Sequence, residues 1–107
     1  MKETYFDYDS ENDSLFVYRK AKIKGSIDIG YFVIDISTEG RVIGVEILNV
    51  SKVLKNLGID SPKEFMNNIK NAGFRAVYQP DSIIVYFMIL SKVRQVTSSI
   101  AVPVKYK

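Results

Sequence analysis

The sequence predicts an α+β fold: an antiparallel β-sheet of about seven strands, with two short helical segments between strands four and five. Three observations predict it. Short runs of β-branched and aromatic residues, separated by turn residues, fill Tyr5 to Leu48 and return from Phe74 to Val104. Between these blocks the apolar spacing becomes helical. The connections are short enough to join successive strands as hairpins, which makes neighbours antiparallel.

Taken in order, Tyr5–Asp9 and Leu15–Arg19 read as two strands around the turn-rich Ser10-Glu11-Asn12-Asp13. Arg19 to Lys24 is a basic run ending at Gly25. It reads as an exposed connection whose charge discourages edge pairing, and it could also touch phosphate. Ile27–Ser37 is a third strand with a bulge or break at Gly30, where the apolar phase changes. Arg41–Leu48 is the fourth.

Val50, Val53, Leu54 and Leu57 then follow helical spacing, with Ser51 as cap and Gly58 as stop. Ser61-Pro62-Lys63-Glu64 is a second helix start, with cap, first-turn proline and capping-box glutamate. Phe65, Met66 and Ile69 form its buried stripe, and Gly73 ends it. Phe74–Tyr78, Ile83–Leu90 and Val96–Val104 complete the strands, with a turn at Gln79–Ser82 and Pro103 at a strand end. At 107 residues one domain, 1–107, is expected.

The most informative stretch is the hairpin from Phe32 to Ser51. Thr38-Glu39-Gly40 fits a three-residue loop with Gly40 in the left-handed position, setting Ser37 opposite Arg41 and Ile34 opposite Gly44. In that favoured register Asp35 and Glu46 lie on opposite faces. A two-residue loop would set Asp35 opposite Gly44 and near Glu46, so the carboxylates would converge. Asp35, Gly44 and Glu46 form a cluster that is either structural or functional.

Composition excludes several chemistries. The chain has no His and no Cys, so Ser-His and Cys-His nucleophilic sites cannot form within it. The favoured zinc ligands are missing, and no cofactor or metal is expected. There is no Walker loop, no apolar run long enough to cross a bilayer and no apolar leader, so a cytoplasmic location without membrane contact is expected. Asp7, Asp9, Glu11 and Asp13 resemble the opening of a calcium loop. Asn12 stands at the required glycine and Tyr18 at the bidentate glutamate, so a hairpin turn is the better reading.

Charge is uneven. Residues 1–51 carry six Lys and Arg against nine Asp and Glu, whereas residues 52–107 carry nine against three. Arg75, Lys92, Arg94, Lys105 and Lys107 are the candidates for phosphate contact.

YDSENDSL, with Tyr8, Asp9, Asp13 and Leu15, followed by VIDISTEGRVIGVEILNVS, with Asp35, Gly40, Gly44, Glu46, Ile47 and Leu48, resembles the domain of unknown function 2283 family over roughly residues 5–54. The resemblance implies a small β-rich module with no established reaction, and a hint of an antitoxin role.

A non-catalytic interaction module is therefore expected, self-associating or binding a protein partner. The alternative is a nucleic-acid-binding or antitoxin-like protein. Third is a metal-dependent phosphodiesterase: Asp35 and Glu46 copy the spacing of a D…E-x-K nuclease hairpin, but Leu48 stands in place of the lysine. The homodimer expectation rests on Ile83–Leu90, apolar on both faces. Ile83, Val85, Phe87 and Ile89 are the candidate interface. The competing solution is internal, with the N-terminal strands folding over that face as a second layer.

Overall fold

The structure, a computed structural model, describes residues 3–104. Eight strands form two antiparallel sheets: β1 (Tyr5–Asp9), β2 (Ser14–Tyr18), β3 (Ile23–Ile29), β4 (Phe32–Ser37), β5 (Val42–Ile47), β6 (Ile69–Tyr78), β7 (Ser82–Ser91) and β8 (Gln95–Pro103). The first sheet has the order β1-β2-β5-β4-β3 and the second β6-β7-β8. The helices α1 (Val50–Asn56) and α2 (Pro62–Asn67) lie between β5 and β6.

The expected single sheet of about seven strands is corrected on two counts. The stretch predicted as one third strand is two, β3 and β4, with Ile29 opposite Phe32 across Gly30-Tyr31. Gly30 has φ +58°, which a two-residue hairpin loop requires at its first position and only glycine takes freely. The helices consequently follow strand five. The second count is the division into two sheets, with the first acting as the cover for the second.

Period-two alternation builds the core between them. Leu15, Val17, Ile34, Val45 and Ile47 of the first sheet are fully buried, and face Ala72, Phe74, Ile83, Val85, Phe87, Ile89, Ile100 and Val102 of the second. Phe32 and Phe87 meet across the layers with ring centroids 5.7 Å apart. Val50, Val53, Leu54, Phe65 and Met66 add the apolar faces of the helices to the same core. Ser91 Oγ ties α2 to the β7–β8 hairpin by donating to Phe65 O (2.9 Å) and Asn68 O (3.3 Å).

Two helix boundaries differ from expectation. The cap of α1 is Asn49, in the left-handed region at φ 49°, and Ser51 lies inside the helix. The amide of Ser51 is instead served by Asp13, whose carboxylate also accepts from Ser51 Oγ at 2.7 Å. α2 begins at Ser61-Pro62 as expected, but no side-chain capping bond forms. It ends at Asn67, and Ile69 opens β6 rather than completing a helical stripe, because β6 pairs along β7 as far as Ser91.

Candidate functional site

The β4–β5 hairpin combines both registers considered from sequence. Near the loop, Ser37 N–H donates to Arg41 O (2.8 Å), Gly40 has φ +77° and Ile36 pairs with Val42. That is the three-residue loop. A bulge at Ile43 then shifts the ladder, so that Asp35 pairs with Gly44, Ile34 with Val45 and Val33 with Glu46. The favoured register, with Ile34 opposite Gly44, is thus corrected: one extra residue in β5 turns Asp35, Gly44 and Glu46 onto the same solvent-side face.

Asp35 is only 8% exposed. Its Oδ1 accepts a 2.6 Å hydrogen bond from Ser26 Oγ on β3, the residue opposite it. Sequence reading missed Ser26, because its pairing depends on where β3 begins. The side chain lies in a depression of about 320 Å³ shared with Phe16, Tyr18, Arg19, Lys20 and Ile43. A Cβ on Gly44 would stand 3.0 Å from Asp35 Oδ2 and 3.2 Å from Phe16 Cε1. Gly44 is therefore the gap that lets a buried carboxylate and an aromatic edge meet over the sheet. Phe16 stacks on Tyr18 at 4.7 Å and Tyr18 on Tyr5 at 5.7 Å, making an aromatic row beside Asp35. Burial pushes the Tyr18 hydroxyl above its ordinary value, with Asp7 adding to the shift.

Glu46 is half-buried, opposite Phe16 on one side and Val33 on the other. Convergence on a face stops short of a shared site. Asp35 and Glu46 sit in diagonal positions, about 7–8 Å apart in a standard ladder, and Ser26 already occupies one oxygen of Asp35. Among the described residues no group of three His, Cys, Asp or Glu is arranged to hold a metal ion.

The acidic turn is built from within. Asp9 Oδ1 accepts from the amides of Glu11 and Asn12 (both 3.1 Å), and Oδ2 accepts from Asn12 Nδ2 (2.7 Å). These bonds, the Asn12 side chain foremost, hold the Asp9 carboxyl below its ordinary value. Asp13, at φ 52°, caps α1 as described above, and Val50 N–H donates to its carbonyl (2.9 Å). Leu15 and Ile47 are fully buried partners in the core. Asp9, Asp13, Leu15, Asp35, Gly40, Gly44 and Ile47 each have a structural task.

The candidate interface is corrected. Ile83, Val85, Phe87 and Ile89 are 0–5% exposed and face the first sheet within the same chain. The solvent side of β7 carries Ile84, Tyr86, Met88 and Leu90 instead, with Tyr86 37% exposed. The phosphate-contact candidates among the described residues, Arg75, Lys92 and Arg94, do not converge. Arg75 lies midway along β6 opposite Tyr86, whereas Lys92 and Arg94 occupy the β7–β8 turn, roughly 16 Å further along β7 at 3.3 Å per residue. Lys105 and Lys107 lie outside the described residues.

Two relatives match part of the chain. An uncharacterized protein of Methanocaldococcus jannaschii is 50% identical over 48 residues, 44% of this chain and 41% of the relative. A Methanosarcina mazei protein provisionally named as a hypoxanthine phosphoribosyltransferase is 40% identical over 68 residues, 63% of this chain and 51% of the relative. The chain thus spans about half the length of the curated relatives it matches. No solved structure matches it. The unit that holds Asp9, Asp13, Asp35, Gly44 and Glu46 is matched as a whole: residues 6–51 fit the family described as protein of unknown function (DUF2283).

Proposed function

We propose that the protein is a non-catalytic interaction module that self-associates as a homodimer by pairing the free edge of β8 with the same edge of a second copy. The carrying observation is the contrast among the four sheet edges. β1 is five residues long and bears Asp7 and Asp9. β3 carries Lys24 and Asp28, with a register shift between Ile23 and Gly25. β6 carries Lys70 and Arg75, has a register shift near Ile69, and Arg19 Nη2 donates to its Phe74 carbonyl (3.0 Å). Charge, shortness and bulges are the devices that blunt edges. β8, nine residues from Gln95 to Pro103, has no charged residue and no register shift.

The ladder says which groups that edge offers. Ser91 N–H donates to Arg94 O and Val104 N–H to Asp81 O, so the even-numbered residues of β8 bond to β7. Gln95, Thr97, Ser99 and Ala101 therefore direct N–H and C=O to the free side, and Pro103 only C=O. A twofold centred on Ser99 would join these groups antiparallel and extend both sheets into one.

The experiment uses two variants and light scattering at micromolar concentration. Ser99→Pro removes an outward N–H while leaving the β7 ladder intact. Thr97→Asp with Ser99→Asp sets like charges against each other across the twofold. A dimer that either variant converts to cooperatively folding monomers supports the reading. Ser99→Cys, the sole cysteine in this chain, should then cross-link the dimer under mild oxidation. A monomeric parent protein, or a dimer indifferent to both edge variants, overturns it. Because Leu48 stands at the lysine position and Ser26 holds Asp35, no divalent-metal cleavage of DNA or RNA is expected. Cleavage abolished by Glu46→Gln would contradict the non-catalytic reading.

A further inference from the structure

Arg19, Arg41 and Arg75 come from separate parts of the chain, yet they line one cleft of about 380 Å³ between the start of β5 and the outer edge of β6. Each guanidinium is stacked on an aromatic ring: Arg19 on Phe74 at 4.4 Å, Arg41 on Tyr78 at 4.8 Å and Arg75 on Tyr86 at 4.2 Å. Stacking fixes the planar heads without consuming their in-plane N–H donors. Arg19 Nη2 serves the Phe74 carbonyl, but its Nε is buried with no hydrogen-bond partner among the described residues.

Neutral donors join them. The Tyr78 hydroxyl oxygen accepts from Val42 N–H (2.9 Å), which leaves its own proton to donate elsewhere. Gln79 N–H bonds to Ser82 O, so alternation along β6 turns the Ala76 N–H away from β7 and toward this side. Glu39 is the single carboxylate among the lining residues. The lining thus supplies three ring-stacked arginines, a tyrosine hydroxyl and a backbone amide, a donor set that suits a tetrahedral oxyanion with several acceptor oxygens.

We propose that this cleft binds the phosphoryl group of a small phosphorylated molecule. It is distinct from the β8 edge and independent of self-association. Lys92 and Arg94 also set two cations near each other, but beside Asp60 and Glu64, and they lack the ring-stacked donor set that lines this cleft.

Inorganic pyrophosphate is the probe, titrated by calorimetry into the full chain at low salt. Saturable binding in the micromolar to millimolar range is expected. Arg41→Gln and Arg75→Gln, both at exposed positions, should each weaken it on the order of tenfold, the loss of a charge-assisted contact. Lys92→Gln with Arg94→Gln, which removes the same charge as the two arginine variants combined, should leave it within about twofold. Absence of binding, or equal losses in the arginine and control pairs, overturns the proposal. So does a single-stranded oligonucleotide whose affinity rises with length beyond what the cleft can hold, since that marks a nucleic-acid backbone as the ligand.

Discussion

Gly44→Ala tests whether the packing over the β4–β5 ladder is as tight as its geometry requires. The added Cβ would stand 3.0 Å from Asp35 Oδ2 and 3.2 Å from Phe16 Cε1, inside ordinary contact distance for both. Neither neighbour can retreat freely. Asp35 is held by Ser26 Oγ at 2.6 Å and is almost wholly buried. Phe16 is stacked on Tyr18. Overpacking of this kind costs about 1–3 kcal/mol. Against it, replacing glycine restricts the unfolded chain and returns about 0.4–1 kcal/mol. The net expectation is a destabilisation of up to about 2.6 kcal/mol, read as a lower urea midpoint with an unchanged slope. In an Asp35→Ala background the closest contact is gone, so the same substitution should cost measurably less. A stabilising Gly44→Ala would refute the close-packing account, as would an equal effect in both backgrounds.

Substitutions at Phe87, Asp13 and Asp9 test the core, the cap of α1 and the acidic turn. Phe87→Ala should cost about 3–5 kcal/mol in urea unfolding, as expected for a large core side chain. Phe87→Glu should unfold the chain rather than split a dimer, because Phe87 is 2% exposed within one copy. Asp13→Ala should cost about 2 kcal/mol, combining the lost cap of α1 with a left-handed backbone that alanine disfavours; Asp13→Asn should cost much less. Asp9 has its folded pKa lowered below the ordinary 3.8. Its contribution is therefore complete above that value and is lost as pH falls through the folded pKa. The melting-temperature gap between the parent protein and Asp9→Ala should be constant near neutrality and close under acid; a gap that widens on acidification would show the sign is wrong.

Local rules were enough for most elements. β-branched runs, Gly40 in its left-handed position, Ser61-Pro62 at a helix start and the two-residue turn at Pro80-Asp81 all act within a few residues, and the structure places them where those rules do. The motifs of residues 6–51 were legible for the same reason, since Asp9 and Gly40 serve the turns in which they stand. Tertiary structure decided the rest. The bulge at Ile43 put Asp35 and Glu46 on one face, a choice set by pairing across three strands and not by the loop alone. Which face of Ile83–Leu90 is core depended on the first sheet folding over it, and a strand apolar on both sides cannot announce that choice. The cleft of Arg19, Arg41 and Arg75 depended on bringing β2, β5 and β6 together. Residues far apart in sequence have no common period, so only the packing of the two sheets could assemble them.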